Sequence, residues 1–240
     1  TADAPLSEEI LRKARALDYD YVRIYEFVRN EIRTEWYAGG MKGAVGTLRQ
    51  KSGNDVDQAS LLIALFRASG MPARYIHGVI ELPVEDVISS IGVSDAAQAT
   101  TALTRAGVAY NPVIRGGRVA AVNVEHTWVT AFVPYTNYRG AVVDVSGKTW
   151  LPLAPALKRV DVTPPTGILR TMGLDTGALV SSYLENVQTE DLIERLRREV
   201  GDYLGVNGQG QTYAQQLGAS TITSENIGLI PNTLPVATVA

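Results

Sequence analysis

The sequence predicts an α+β domain in which helices come first and an antiparallel sheet follows. Apolar residues recur at helical spacing over residues 7–33, and residues 55–69 are apolar nearly all round. Later segments, such as residues 126–133, have the composition of strands. Helices followed by consecutive strands are typical of α+β folds, so we expect one buried helix to pack on the antiparallel sheet.

Two helices are predicted within residues 7–33 from their start signals. Ser7 precedes two acidic residues and can cap the first helix, since an N-terminal turn favours negative charge. Asp20 can cap the second helix in the same way. Their apolar stripes indicate that both helices pack on a core.

Glycine content predicts that residues 38–54 form an irregular loop, because five glycines lie in this segment. The helix over residues 55–69 follows, and its apolar surface on all sides indicates that it is buried. Gly70-Met71-Pro72 ends it.

The remaining pattern predicts the sheet and a C-terminal extension. The expected elements are a strand at 74–82, a helix at 94–106, a hairpin at 111–124 turning at Gly116-Gly117, a strand at 126–133, a loop at 134–148 and a return strand at 149–153. After Pro164-Pro165 the pattern changes to a helical segment, 175–204, and a polar, extended or mobile segment, 205–240. We therefore predict a domain over residues 1–165 and a helical and extended appendage over residues 166–240.

Composition excludes several functions. The net charge of −3 and the lack of a basic block argue against nucleic acid as a partner. The longest apolar run, Leu61–Phe66, is too short to span a membrane. The absence of cysteine excludes disulfides and a thiol nucleophile, and two histidines are too few for a His-rich metal site, so we expect no cofactor or metal. Because the chain begins at Thr1 without Met, we expect a processed or excised piece of a longer polypeptide.

Three motifs carry a family resemblance. The first runs from Gly53 to Arg74 and ends in Arg67-Ala68-Ser69-Gly70-Met71-Pro72-Ala73-Arg74; the others are His126-Thr127-Trp128 and Trp150-Leu151-Pro152-Leu153-Ala154-Pro155. Together they resemble the transglutaminase-like, papain-related superfamily. The resemblance implies a papain-like fold whose buried helix carries the nucleophile, and a hydrolase or acyl-transfer reaction.

The resemblance also implies the site residues. It places the family's catalytic cysteine at Asp55, its histidine at His126 and its orienting aspartate at Ala154. Strand pairing supports the assignment of Ala154. In an antiparallel hairpin the numbers of paired residues have a constant sum, so a turn centred near Gly140 pairs His126 with Ala154. The catalytic positions are therefore Asp55, His126 and a vacant orienting position at Ala154. Asp144 is the nearest other carboxylate, but the same pairing puts it near the loop tip.

A substrate groove is expected beside these positions, formed by Trp36, Tyr37, Asn54, Asp57 and Trp128. Each of these residues also has a structural interpretation. Asp55 can be a helix cap, and Asp57 can cap the same turn or form a buried pair with Arg74. His126 can be a hydrogen-bonded core histidine, and the aromatic residues can be core packing. The sequence leaves both interpretations open.

Two functions remain open. In the first, the domain is an inactive or inactivated module, a pseudoenzyme, of a larger secreted or cell-surface bacterial protein, and it retains a peptide- or glycan-binding groove. In the second, it is a hydrolase or acyl-transfer enzyme that uses an Asp55/His126 pair, with residue 154 natively Asp. The chain most resembles domains embedded in bacterial RHS or YD-repeat and toxin-like surface proteins, although a cytoplasmic location is also open. Expected partners are peptide, protein or glycan ligands and neighbouring domains of the same polypeptide.

Overall fold

The computed structural model describes residues 2–135, 143–144, 146–163, 166–186, 189–208, 210–217 and 219–239. The chain forms two compact units, one made of Thr1–Val160 and Ile222–Ala240, and the other of Asp161–Thr221. This division differs from the predicted boundary at residue 165, because the C-terminal residues return to the first unit. There Ala237–Val239 pairs with Val79–Glu81 as an added strand, a long-range contact that local composition does not reveal.

The first two helices begin where their caps predict. Helix α1 spans Glu8–Ala16, and the Ser7 hydroxyl accepts a hydrogen bond from the Ile10 amide. Helix α2 spans Tyr21–Glu31, and the Asp20 carboxylate accepts from the Val22 and Arg23 amides. A short strand β1, Arg33–Thr34, follows α2. Both helices bury their apolar stripes in the first core.

The expected irregular loop at residues 38–54 was wrong. Helix α3 occupies Gly43–Gln50, and strand β2, Ser52–Gly53, pairs in parallel with β1. The residue before this helix, Lys42, gives no side-chain cap. The Asp57 carboxylate supplies the missing acceptor to the Met41, Lys42 and Gly43 amides, so a helix forms despite its glycines.

Helix α4, Asp55–Ala68, is the buried helix that the sequence predicts. Its side chains are buried without interruption from Asp57 to Phe66. The Asn54 side chain caps its first turn by accepting from the Asp57 amide. The helix ends before Gly70, whose φ of +72° lies in the left-handed region that favours glycine.

The sheet lies against α4, with further helices beyond β3. Its strands include β3 (Ala73–Pro83), β4 (Tyr110–Arg115), β5 (Arg118–Pro134) and β6 (Lys148–Leu153). Two helices, α5 (Val84–Ile91) and α6 (Ala96–Arg105), connect β3 to β4. The predicted hairpin at Gly116-Gly117 and the helix near 94–106 are present. Helix α5 was not predicted from the sequence. It directly continues β3, and its Val87 packs in a second core, which consists of Ile80, Leu82, Val87, Ala99, Leu103, Val122, Val124, Trp128 and Ala154.

The register between β5 and β6 differs from the predicted one by two residues. Val129 pairs with Leu153 and Phe132 with Trp150, so the same register continued puts Trp128, not His126, opposite Ala154. The prediction was wrong here because it took Gly140 as the centre of the turn. Gly140 itself lies outside the described residues.

Strand β5 has one edge that is only partly paired. Along its opposite edge β3 pairs continuously, from Pro83↔Ala121 to Ala73↔Ala131. The other edge pairs with β4 up to Val124 and with β6 from Val129 onward. Within the described part of the chain, residues 125–128 therefore have no strand partner on this edge.

The second unit is mainly helical. It contains α7 (Ile168–Thr171), α8 (Thr176–Glu185), α9 (Leu192–Asn207) and α10 (Tyr213–Leu217), and strands β7 (Val160–Thr163) and β8 (Ala219–Ile222) pair at its ends. Ile168, Val200 and Leu204 form its small core. The predicted helical segment 175–204 is interrupted after Glu185, and 205–240 includes α10 as well as extended chain. The strand Ala237–Val239 is β9.

Among the described helices, none combines the length and the apolar composition that crossing a bilayer requires.

Replacing Leu62 tests the predicted role of α4 as the centre of the first core. Leu62 is fully buried, so Leu62→Ala should lower the free energy of unfolding by about 2–5 kcal/mol through lost burial and a residual cavity. Urea unfolding followed by circular dichroism measures this change. Leu11→Ala on α1, where Leu11 is exposed, is the control and should cost under about 1 kcal/mol. Equal losses for both variants would contradict the assignment.

Candidate functional site

A cavity of about 300 Å³ lies at the unpaired edge of β5. It is lined by five short segments, Thr34–Gly39, Asn54–Val56, Gly107–Ala109, Glu125–Thr127 and Ala156–Leu157, and by His77. The segment Gly107–Ala109 precedes β4, and Ala156–Leu157 follows β6. The two strands that flank the unpaired edge therefore bring their connecting loops to the sides of the cavity.

The structure brings Asp55 and His126 together at this cavity. One carboxylate oxygen of Asp55, Oδ2, lies 3.6 Å from His126 Nδ1. The same oxygen accepts a hydrogen bond of 2.6 Å from the Thr127 amide. The Asp55 carboxylate thus takes the main-chain donor that a neighbouring strand would otherwise occupy. Its side chain keeps 20% of its surface exposed, so it remains reachable from the cavity.

His126 is deeply buried, with 6% of its side-chain surface exposed. Burial lowers the pKa of its imidazole, because desolvation disfavours the charged form; Asp55 opposes this shift and His77 adds to it. The neutral ring is therefore the dominant form at pH 7. Its Nε2 atom is buried and has no hydrogen-bond partner among the described residues.

Ala154 does not lie opposite His126 in the strand pairing, as noted above. It is buried in the second core, in the same cluster as Trp128. Asp144 lies in the turn before β6, where its Oδ1 atom accepts from the Ser146 and Lys148 amides. These hydrogen bonds, the one from Lys148 first, lower the pKa of the Asp144 carboxyl and hold it in its own exposed turn. Among the described residues, the carboxylate within 4 Å of His126 is that of Asp55, so Asp144 does not replace the missing orienting group.

Asp57 and Trp128 lie outside the cavity lining, although the sequence places both in the groove. Asp57 is buried and accepts from the Tyr37 hydroxyl at 2.5 Å and from the amides that open α3. Trp128 packs in the second core, and Gly78, which pairs with His126 on β3, leaves room for the indole, since a Cβ there would lie 3.0 Å from the ring. Trp128 is therefore core packing. Asp57 is buried as expected, but its partners within the described residues are the Tyr37 hydroxyl and main-chain amides rather than Arg74.

Trp36, Tyr37 and Asn54 do line the cavity. Trp36 donates its indole N–H to the Ser90 hydroxyl on α5, which fixes the ring. The Asn54 side-chain Nδ2 donates to the Tyr37 and Gly39 carbonyls. The main-chain N–H of Asn54 donates to the Tyr37 hydroxyl. Burial is the main cause that raises the pKa of the Tyr37 hydroxyl, and its hydrogen bond to Asp57 is the second. The Tyr37 side chain of the cavity wall therefore stays neutral.

Sequence reasoning missed Glu125, which lines the cavity directly before His126, and the buried Lys158. Glu125 directly precedes the His126-Thr127-Trp128 motif, and this position could have indicated that it lies at the site. Lys158 Nζ donates to Val28 O and Gln58 Oε1 at 3.0 and 2.9 Å, and also to Ile32 O, and burial lowers its pKa well below the usual range. Gln58 in turn donates to Gly53 O, so this network holds the turn that precedes Asp55.

Within the described ranges, no group of three or more histidine, aspartate or glutamate side chains could hold a metal ion. The arrangement instead offers a partly exposed carboxylate, a neutral imidazole and aromatic walls beside an unpaired strand edge. Such a site can accept hydrogen bonds and bind a ligand. It lacks the thiolate that attacks a carbonyl in thiol-dependent acyl transfer.

Comparison with known proteins gives one match. The family model described as Transglutaminase-like superfamily matches residues 4–155, more than half of the chain. No curated protein matches. No solved structure matches either. The match and the observed layout of helices on an antiparallel sheet confirm the predicted α+β, papain-like fold.

The Asp55–His126 contact predicts the direction of a titration change. In a His77→Gln background His126 is the only histidine, and NMR should show its pKa below the ordinary value of about 6.5. Adding Asp55→Asn removes the negative charge that favours the imidazolium, so the pKa should fall further. An unchanged or higher pKa would contradict the contact. Asp202→Asn in the second unit removes the same charge and should leave the titration unchanged.

Proposed function

Because this chain belongs to the transglutaminase-like superfamily yet contains no cysteine, we propose that its cleft binds an extended polypeptide segment without breaking or forming an amide bond. One observation carries the proposal. The residue at the nucleophile position, Asp55, is hydrogen-bonded to the Thr127 amide beside a histidine whose Nε2 atom has no partner among the described residues.

Chemistry argues against amide hydrolysis or acyl transfer at this pair. A carboxylate is a weak nucleophile toward an amide, and Asp55 Oδ2 already accepts the Thr127 N–H. A catalytic histidine has to become positively charged, but burial lowers the pKa of His126 and no described residue bonds its Nε2. Both features raise the barrier of a reaction that would pass through an imidazolium.

The unpaired edge of β5 favours a polypeptide over a glycan as the ligand. The Thr127 N–H points away from β3, since it donates to Asp55. Because main-chain groups alternate along a strand, Glu125 presents its amide and carbonyl to the same edge. Because Asp55 occupies the Thr127 N–H, an extended peptide added to this edge would pair with the Glu125 amide and the Thr127 carbonyl, and the cavity can take a side chain.

The distance of 3.6 Å between Asp55 and His126 supports a second candidate function. In it, Asp55 acts as a general base on water or as a carboxylate nucleophile, and His126 shuttles the proton. This enzyme would need a group to orient His126. An Asp at residue 154 would stand opposite Trp128 in the continued register, so it would have to reach His126 diagonally across the strand pair. The buried, unpartnered Nε2 makes this candidate the weaker one for the chain as it stands.

The setting of the domain is also a proposal. Its motifs resemble those of domains within bacterial RHS or YD-repeat surface proteins, which supports a role as one module of a larger secreted or cell-surface bacterial protein. In that setting the cleft would hold a segment of the same polypeptide or of a partner protein.

Blocking the cavity tests the binding function. The full chain should bind a subset of an immobilised peptide array, and Ala109→Trp should weaken that binding about tenfold or more, because a large ring at this exposed lining position fills the cavity. Ala97→Trp, on the exposed face of α6 and outside this lining, is the matched control and should bind normally. The peptide-binding proposal would be contradicted if the chain bound only a glycan array, or if Ala109→Trp and Ala97→Trp bound peptides equally well.

Introducing an orienting carboxylate tests the second candidate. We expect both the unmodified chain and Ala154→Asp to leave peptide p-nitroanilides and p-nitrophenyl esters uncleaved, since neither has a thiol. Iodoacetamide should change nothing. Hydrolysis by Ala154→Asp that disappears in both Asp55→Asn and His126→Gln would instead establish the Asp55/His126 enzyme. Circular dichroism checks that the carboxylate, placed at a buried position, leaves the fold intact.

A further inference from the structure

The charges around the cavity are unbalanced. Three acidic residues line it: Glu35, Asp55 and Glu125. Glu35 is neutralised by an ion pair with Lys42. Asp55 lies in the first turn of α4, and within the described residues its polar contacts are the Thr127 amide and the mostly neutral His126. Glu125 is 3.9 Å from His77, and both side chains are about two-thirds exposed, so solvent screens this pair.

No lysine or arginine lines this cavity within the described ranges of the chain. Asp55 and Glu125 therefore bring uncompensated negative charge to one concave surface. The first turn of α4 and the Thr127 N–H stabilise the Asp55 carboxylate, and a cationic ligand would add the charge partner that no lysine or arginine of the lining supplies. Negative charge in a cleft also concentrates cationic ligands there.

The hydrogen-bonding capacity of the site points the same way. A carboxylate near His126 Nδ1 favours the tautomer that carries its proton on that nitrogen, which leaves Nε2 as an acceptor. No described residue donates to Nε2. Asp55 Oδ1, the Glu125 carboxylate and the main-chain carbonyls at the unpaired edge are acceptors too. The site thus offers several acceptors and calls for a ligand that is rich in N–H donors.

Resting on the proposed peptide-binding function, we propose that the bound segment anchors an arginine side chain in this cavity, with its guanidinium group against Asp55 and Glu125. A guanidinium is planar, carries five donors and is more weakly hydrated than an ammonium, so it loses less on entering a partly apolar cavity. Trp36 and Tyr37 supply aromatic walls on which such a planar cation can stack.

Peptide pools with one variable position test this inference. The full chain is titrated with fluorescent, terminally blocked nonapeptide pools whose central residue is arginine, lysine, citrulline or leucine. Citrulline keeps the shape of arginine but lacks its charge. The arginine pool should bind about tenfold or more tightly than the citrulline pool, and more tightly than the lysine pool. Raising the salt concentration should reduce this preference.

Matched variants identify which carboxylates bind the arginine side chain of the peptide. Asp55→Asn and Glu125→Gln should each bring the affinity for the arginine pool toward that for the citrulline pool. Asp202→Asn, which removes one negative charge from the second unit, should leave the preference intact. Because Glu125 is largely exposed, Glu125→Gln tests the inference even if Asp55→Asn disturbs the fold.

The outcomes separate the two proposals. Peptide binding with equal affinity for arginine and citrulline, or tighter binding of the lysine pool, overturns the arginine anchor and leaves the peptide-binding function standing. If no pool binds, the peptide-binding function fails and the anchor fails with it. An arginine preference that persists in both Asp55→Asn and Glu125→Gln also overturns the anchor site.

Discussion

Helix α4 is buried from Asp57 onward, and the polar side chains of Asp57 and Gln58 must find hydrogen-bond partners inside the protein. The Asp57 carboxylate accepts from the amides that open α3, while Gln58 bonds the Gly53 carbonyl and Lys158. Lys158 also donates to the Val28 and Ile32 carbonyls at the end of α2. Because leaving any of these groups unpaired would be costly, α2, α3, the turn before Asp55 and the segment after β6 are held together.

This anchoring places a carboxylate where the family has a thiol, and it does so with little freedom. Asn54 caps α4 and is itself bonded to the Tyr37 and Gly39 carbonyls, so the start of the helix is fixed. Asp55 then reaches the Thr127 amide on the unpaired edge of β5. The result is a preorganised acceptor site rather than a flexible one, which suits binding because less ordering is required of the protein.

The same arrangement separates the residues that stabilise the fold from those at the family's catalytic positions. The groups that hold the helix, Asp57, Gln58 and Lys158, differ from those at the reacting positions, Asp55 and His126. The two residues that the sequence assigned to the groove and that lie elsewhere, Asp57 and Trp128, belong to the buried framework. Substitution at residue 55 can therefore change the chemistry of the cleft while the framework persists.

The sequence by itself determined the fold class, the buried helix, the caps of α1 and α2 and the motif positions Asp55 and His126, because local hydrophobic patterns and a motif of fixed spacing record these features. The cap of α4 is Asn54 rather than Asp55, which is the first helical residue. Only the tertiary structure decided which residues line the cleft. Helix α3 depends on Asp57, a cap supplied from another helix, and glycine content alone gave the opposite prediction. The position of Ala154 depends on the register of β5 with β6, which strand pairing sets over a distance. The unpaired edge of β5, the acceptor role of Asp55 and the position of Glu125 at the cavity arise where separate segments of the chain meet, so no local sequence pattern encodes them.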